Sequence, residues 1–127
     1  MNILEELFTN KKVVIVGPAQ YMERLKLGDV IDNHDTIVRI NRSCESIEKY
    51  SDHIGKRTDV LYSCLIEKPS NAGVVDIEKY LDYGIKLICA PPNSNMKGLS
   101  NTTSLNNLID IEKIKHLSQR IPVRVVD

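Results

Sequence analysis

The sequence predicts an α/β protein: a doubly wound, mostly parallel sheet of about five strands with helices on both faces. Three observations predict it. Short apolar runs rich in β-branched residues recur along the chain: "KVVIVG", "DTIVRIN", "RTDVLYSCL", "IKLICAPP" and "IPVRVVD". Their apolar residues are near-continuous rather than alternating, as in strands covered on both faces. Segments of helical length separate them, two with clear 3.6-residue periodicity. The 127 residues make one small domain by length, 1–127, large enough for a core without disulfide or metal support.

The elements follow in order. "LEELF" has Leu4, Leu7 and Phe8 at helical spacing. "KVVIVG" is the first strand, closed by Gly17. A short helix is expected within Tyr21–Asn33, and "DTIVRIN" is the second strand. Another short helix is expected around Ser46–Ile54, before the third strand, "RTDVLYSCL". "VVDIEKYLDYG" is a helix with Val74, Ile77, Tyr80 and Leu81 on one face and Gly84 as its stop signal. "IKLICAPP" is a fourth strand ended by Pro91-Pro92. "PPNSNMKGLSNTTS", residues 91–104, lacks periodicity and reads equally as a binding loop or a solvated connector. "SLNNLIDIEKIKHLSQR" is a longer helix carrying Leu105, Leu108, Ile109, Ile114 and Leu117 on one face, and "IPVRVVD" is the fifth strand. Such a sheet places a ligand crevice outside the carboxyl ends of its strands.

Composition excludes several classes. Apolar residues make up 42%, which argues against general disorder. The 17 acids and 17 bases are interspersed, so binding nucleic acid by phosphate neutralisation has little support. No apolar run approaches the length of a membrane span. "MNILEELFTNKK" does not read as a secretory leader. Cys44, Cys64 and Cys89 are far apart and lack zinc-ligand spacing. Cys64 and Cys89 lie in apolar strand segments and are expected to be buried free thiols. A reducing, cytoplasmic setting is the expectation.

Two places carry candidate chemistry. The turn Gly17-Pro18-Ala19-Gln20 follows the first strand and can present backbone amides to an anion, or can be a simple tight turn. It is neither a Gly-x-Gly-x-x-Gly fingerprint nor a P-loop. The second strand ends in Asn41 and Arg42, where an NAD site carries an acid for the ribose. That argues against NAD, and the missing glycines argue against NADP. Asn41 can donate to and accept from a ribose hydroxyl or phosphate oxygen, and Arg42 can add charge near a phosphate. Arg39, inside a buried strand, needs a partner, with Asp35 or Asp59 expected. Asp32 and Asp35 shape the approach to the second strand. No serine or cysteine has the setting of an activated nucleophile, and His34, His53 and His116 read as surface residues rather than general bases.

The segments "VVIVGPAQ", "LGDVIDNHDTIVRINR" and "IGKRTDVLY", within Val13–Tyr62, resemble the large sialylmotif of the eukaryotic-type sialyltransferases, glycosyltransferase family 29, in a microbial or viral-like form. Gly17, Ile31-Asp32, Asp35, Val38, Arg39, Asn41-Arg42, Gly55 and Thr58 carry the resemblance, in that order. It covers roughly the first half of the chain. The resemblance implies a Rossmann-like glycosyltransferase fold, CMP-sialic acid as donor, a glycan acceptor, and no metal or other cofactor. It implies that Asn41 contacts the nucleotide and that the Gly17 turn lies under its phosphate or ribose. Together with the residue reading above, the candidate nucleotide-binding set is Gly17, Pro18, Ala19, Gln20, Asn41 and Arg42, with Asp32, Asp35, Arg39, Thr58 and Asp59 in structural support. Pro18 stands where animal members usually have asparagine. Val13 replaces a cysteine, so their bridging disulfide is not expected. The family's catalytic histidine belongs to a later segment that nothing here resembles. The expectation is therefore the donor-binding half of a longer glycosyltransferase, or a chain completed by a second one. The alternative is a non-catalytic nucleotide-binding or interaction module on the same fold.

Overall fold

The computed structural model describes residues 2–19, 22, 24–91 and 111–126. The β-branched runs become β1 (Val13–Val16), β2 (Thr36–Ile40), β3 (Val60–Tyr62), β4 (Leu87–Ala90) and β5 (Val123–Val125). All four neighbouring pairs are parallel, in the order β1-β2-β3-β4-β5. The helices are α1 (Ile3–Phe8), α2 (Gly28–Asp32), α3 (Ile47–Ile54), α4 (Ile77–Asp82) and α5 (Ile111–Arg120). A 3₁₀ segment, Asn41–Ser46, joins β2 to α3. The expected α/β class, with a five-stranded parallel sheet and helices on both faces, is what forms.

The strand order never reverses, so the described strands contain no switch point of their own. Crossovers of one hand that all step the same way must place their helices on one face. That face carries Val16 and Ile37 beneath α2, and Leu61, Ile88 and Ala90 beneath Cys44, Tyr80 of α4, and Ile114 and Leu117 of α5. Among the described residues, α1 is the helix that covers the opposite face, where Leu7 packs with Val38, Val60, Leu87 and Cys89. Asn2 starts α1 with a reciprocal cap: Glu5 N donates to Asn2 Oδ1 at 2.9 Å, and Asn2 N donates to Glu5 Oε2 at 3.3 Å. Thr36 Oγ1 then donates to Leu7 O, tying the helix to β2. α1 does not reach β1, whose Ile15 remains 67% exposed at the sheet edge.

Several boundaries depart from the sequence expectation. α4 begins only at Ile77, because Lys79 N donates to Asp76 Oδ1 and makes Asp76 the cap. Val74, expected on the buried face, precedes the helix and is 70% exposed; Val75 is buried instead. β3 stops at Tyr62, and Leu65 turns into a left-handed conformation at φ +60°. Cys64 is consequently half-buried rather than buried, while Cys44 and Cys89 are buried. The loop expected over 91–104 and the first part of the last helix lie outside the described residues beyond Pro91. Among the described residues no helix is long and apolar enough to cross a membrane.

Candidate nucleotide site at the carboxyl ends of the strands

The site rests on the polar residues that lead into β2. Asp32 directs its carboxylate at the loop after α3, accepting from Lys56 N at 2.9 Å and from Arg57 N at 3.3 Å. Gly55 makes this approach possible. Its φ of +85° is left-handed, and a Cβ there would stand 2.7 Å from Asp32 Oδ1. Arg57 donates from Nη1 to Asp32 O at 2.9 Å, and from Nη2 to His34 O, Asp35 O and Asp59 Oδ2 at 3.0, 3.2 and 3.0 Å. Asp59 also accepts from Ile37 N at 2.9 Å. Asp35 accepts from Lys12 N at 2.8 Å, linking the starts of β1 and β2. The motif's acids thus bind main-chain amides and Arg57.

Arg39 lies at the centre of this scaffold and is 1% exposed. The expected ion pair with Asp35 or Asp59 does not form, because both carboxylates are already engaged. Arg39 Nε instead donates to Thr58 Oγ1 at 3.0 Å and to Arg57 O at 3.1 Å, and Nη2 donates to Arg57 O at 2.8 Å. Burial lowers its pKa from the ordinary arginine value, against the opposing pull of Asp32, Cys44 and Asp59. The guanidinium remains charged.

The nucleotide candidates separate into two places. Gly17, Pro18 and Ala19 follow β1 at the carboxyl edge of the sheet; Gln20 lies outside the described residues. Gly17 does not adopt a left-handed conformation, and among the described residues a Cβ on it would meet nothing within 4 Å. Neither the backbone nor packing among the described residues requires glycine there, so its effect on them is to leave the space above the turn open. The turn lines a narrow recess of ≈ 20 Å³ together with Arg39, Ser43 and Ser46. That is room for about one water.

Asn41 stands at the end of the neighbouring strand, since Val16 pairs with Arg39. It takes φ +49°, a conformation asparagine tolerates better than most residues. Its Oδ1 accepts from Cys64 N at 3.0 Å and holds the end of β2 against the segment after β3. The acceptor is therefore used, and Nδ2 alone is left as a donor. Arg42 is directed elsewhere. Its Nε pairs with Glu45 at 3.0 Å, and Nη1 donates to Pro69 O at 3.1 Å. It lines a separate cleft of ≈ 330 Å³ with Glu67, Lys79 and Tyr80, and does not join the Gly17 turn.

No histidine lines the Gly17 recess among the described residues. His34 Nδ1 is 3.0 Å from Val30 O, and Lys26 N donates to His53 Nδ1 at 3.1 Å. His116 is exposed on α5. The Cys44 thiol is pushed up to about 12 by burial, which leaves it no thiolate at neutral pH.

The profile of glycosyltransferase family 29 (sialyltransferase) matches residues 7–123, spanning β1 through the start of β5. The chain belongs to glycosyltransferase family 29. It is 30% identical over 70 residues to the lactosylceramide alpha-2,3-sialyltransferase of Mus musculus, covering 55% of this chain and 16% of that protein. The Homo sapiens enzyme of the same name is 28% identical over 72 residues, covering 57% of this chain and 16% of that protein. The chain thus spans about a sixth of these curated relatives. No solved structure matches it. Within this family 29 chain, Arg57, which holds the segment leading into β2, and Ser46, which lines the recess, were not singled out from the sequence. Arg57 sits inside the Gly-x-x-Thr segment and gave a recognisable signal; Ser46 gave none.

Proposed function

We propose that this chain binds the nucleotide of a CMP-sugar donor at the Gly17 turn, as the donor-binding part of a sialyltransferase-type glycosyltransferase that passes the sugar to a glycan acceptor. One observation carries the reading. A family 29 chain has, at the carboxyl end of its first strand, an exposed glycine that neither its conformation nor its neighbours among the described residues require. The open turn lets backbone amides approach a phosphate or ribose closely. Asn41, at the end of the next strand, keeps its Nδ2 available as a side-chain donor for a ribose hydroxyl or phosphate oxygen. Arg42, held by Glu45 and Pro69 O, is left out of this assignment. Calorimetric titration with CMP and CMP-sialic acid tests it. Binding in the micromolar to millimolar range is expected; no heat at millimolar ligand would sink the proposal.

A second reading, nucleotide binding without transfer, is favoured by the lack of a histidine at the recess among the described residues. It predicts CMP binding with no donor hydrolysis and no transfer. Turnover of CMP-sialic acid by the purified chain would refute it.

A further inference from the structure

Arg39 is buried without a paired carboxylate. Its Nε and Nη2 are bound by two neutral oxygens, Arg57 O and Thr58 Oγ1, and Nη1 has no acceptor among the described residues. A buried guanidinium normally gains an anionic partner, because leaving it unpaired is costly. Arg39 also lines the recess beneath the Gly17 turn. Two hydroxyl-bearing residues share that wall. Ser43 Oγ accepts from Ile40 N at 3.0 Å, and Ser46 Oγ has no partner. The recess is too small for a ring and large enough for about one oxygen atom.

We infer that the recess is an anion socket: it takes one anionic oxygen of a phosphoryl group, held by the unpaired Nη1 of Arg39 and the Ser46 hydroxyl, with the rest of the phosphate above the Gly17 turn. The inference deepens the donor-binding reading, and rests on it for the identity of the ligand. It makes Arg39 a binding residue for charge as well as the hub of the scaffold. A free phosphate and a nucleotide phosphate share the same chemistry, so both are probes.

The test uses the whole chain with CMP, cytidine and inorganic phosphate, read by calorimetry and thermal shift. Wild type is expected to bind CMP at least tenfold tighter than cytidine, and to gain thermal stability in tens of millimolar phosphate. Ser46→Asp places a carboxylate where the anion would sit. It is expected to fold with an unchanged or higher Tm, to lose the CMP preference and the phosphate protection, and to bind cytidine as wild type does. Ser46→Ala removes only the hydroxyl and is expected to weaken CMP several-fold. Equal binding of CMP and cytidine by wild type overturns the socket and leaves the donor-binding reading standing. So does a Ser46→Asp protein that keeps its CMP preference. If neither CMP nor cytidine binds, the donor-binding reading falls, while phosphate protection abolished by Ser46→Asp still supports the socket. If no anion protects wild type, the recess holds only water and the socket is overturned.

Discussion

Asn41 has a structural role in the fold and, in the proposed reading, a second role as a ligand donor. Its oxygen is bound by Cys64 N and its nitrogen is unpartnered. Asn41→Asp keeps the acceptor and removes the donor, so it is expected to weaken CMP at least tenfold with little change in Tm. Asn41→Ala removes both. It leaves Cys64 N without its acceptor, and is expected to cost about 1–3 kcal/mol of stability in urea unfolding as well. The comparison separates a ligand role from a structural one, which Asn41→Ala alone cannot do. Cys44 carries a pH prediction. Burial raises its folded pKa to about 12 from a model-compound value of 9.0. The native state therefore binds more protons than the unfolded chain between about pH 9 and 12. The stabilising contribution is complete below about pH 9 and is lost as pH rises through the folded value. Native Cys44 should resist iodoacetamide at pH 8 and react only after unfolding, as read by mass spectrometry.

Among the elements, the loop between α3 and β3 decides whether the strand ends are held in place. Asp32, Gly55, Arg57 and Thr58 form one unit, in which a left-handed glycine delivers two amides to a carboxylate and a backbone oxygen to Arg39. Gly55→Ala is expected to destabilise by roughly 2–4 kcal/mol, from the strained φ and the contact with Asp32. Gly28 is constrained differently. Its φ is ordinary, but a Cβ would lie 2.5 Å from Ser51 O and 2.6 Å from Asp52 O, where α2 crosses α3. Gly28→Ala should cost about 1–3 kcal/mol by overpacking, and Gly17→Ala close to nothing, as measured by chemical denaturation. Three glycines between β1 and β3 thus differ in what they require, and only coordinates distinguish them. The sequence marks Gly17 and Gly55 alike as motif glycines.

At the scale of the whole molecule, the strands were legible as continuous apolar runs. Burial on both faces accounts for "LICA", every residue of which is buried, whereas "VVIV" reads the same way although its Val13 and Ile15 are exposed at the sheet edge. The short helices were harder to read. α2 has five residues, too few to show a period, and α3 is preceded by a 3₁₀ segment that carries Asn41 and Arg42 out of the strand they were assigned to. The motif order was legible too, but not the division of labour within it. Asp35 and Asp59 look like counter-ions for Arg39 in one dimension; in three they are engaged by main-chain amides and Arg57. Arg42 sits next to Asn41 in sequence, yet the 3₁₀ turn carries it to Glu45 and Pro69. What remains at the carboxyl edge is the Gly17 turn with Arg39 lining the recess beneath it, and Asn41 at the end of β2, tied to Cys64. The central claim is that glycine at position 17 exists for a ligand and not for the fold. Calorimetric titration of CMP into wild type and Gly17→Val at matched Tm tests it most directly. The account predicts unchanged stability and at least a tenfold loss of CMP affinity; equal CMP affinity in the two proteins would contradict it.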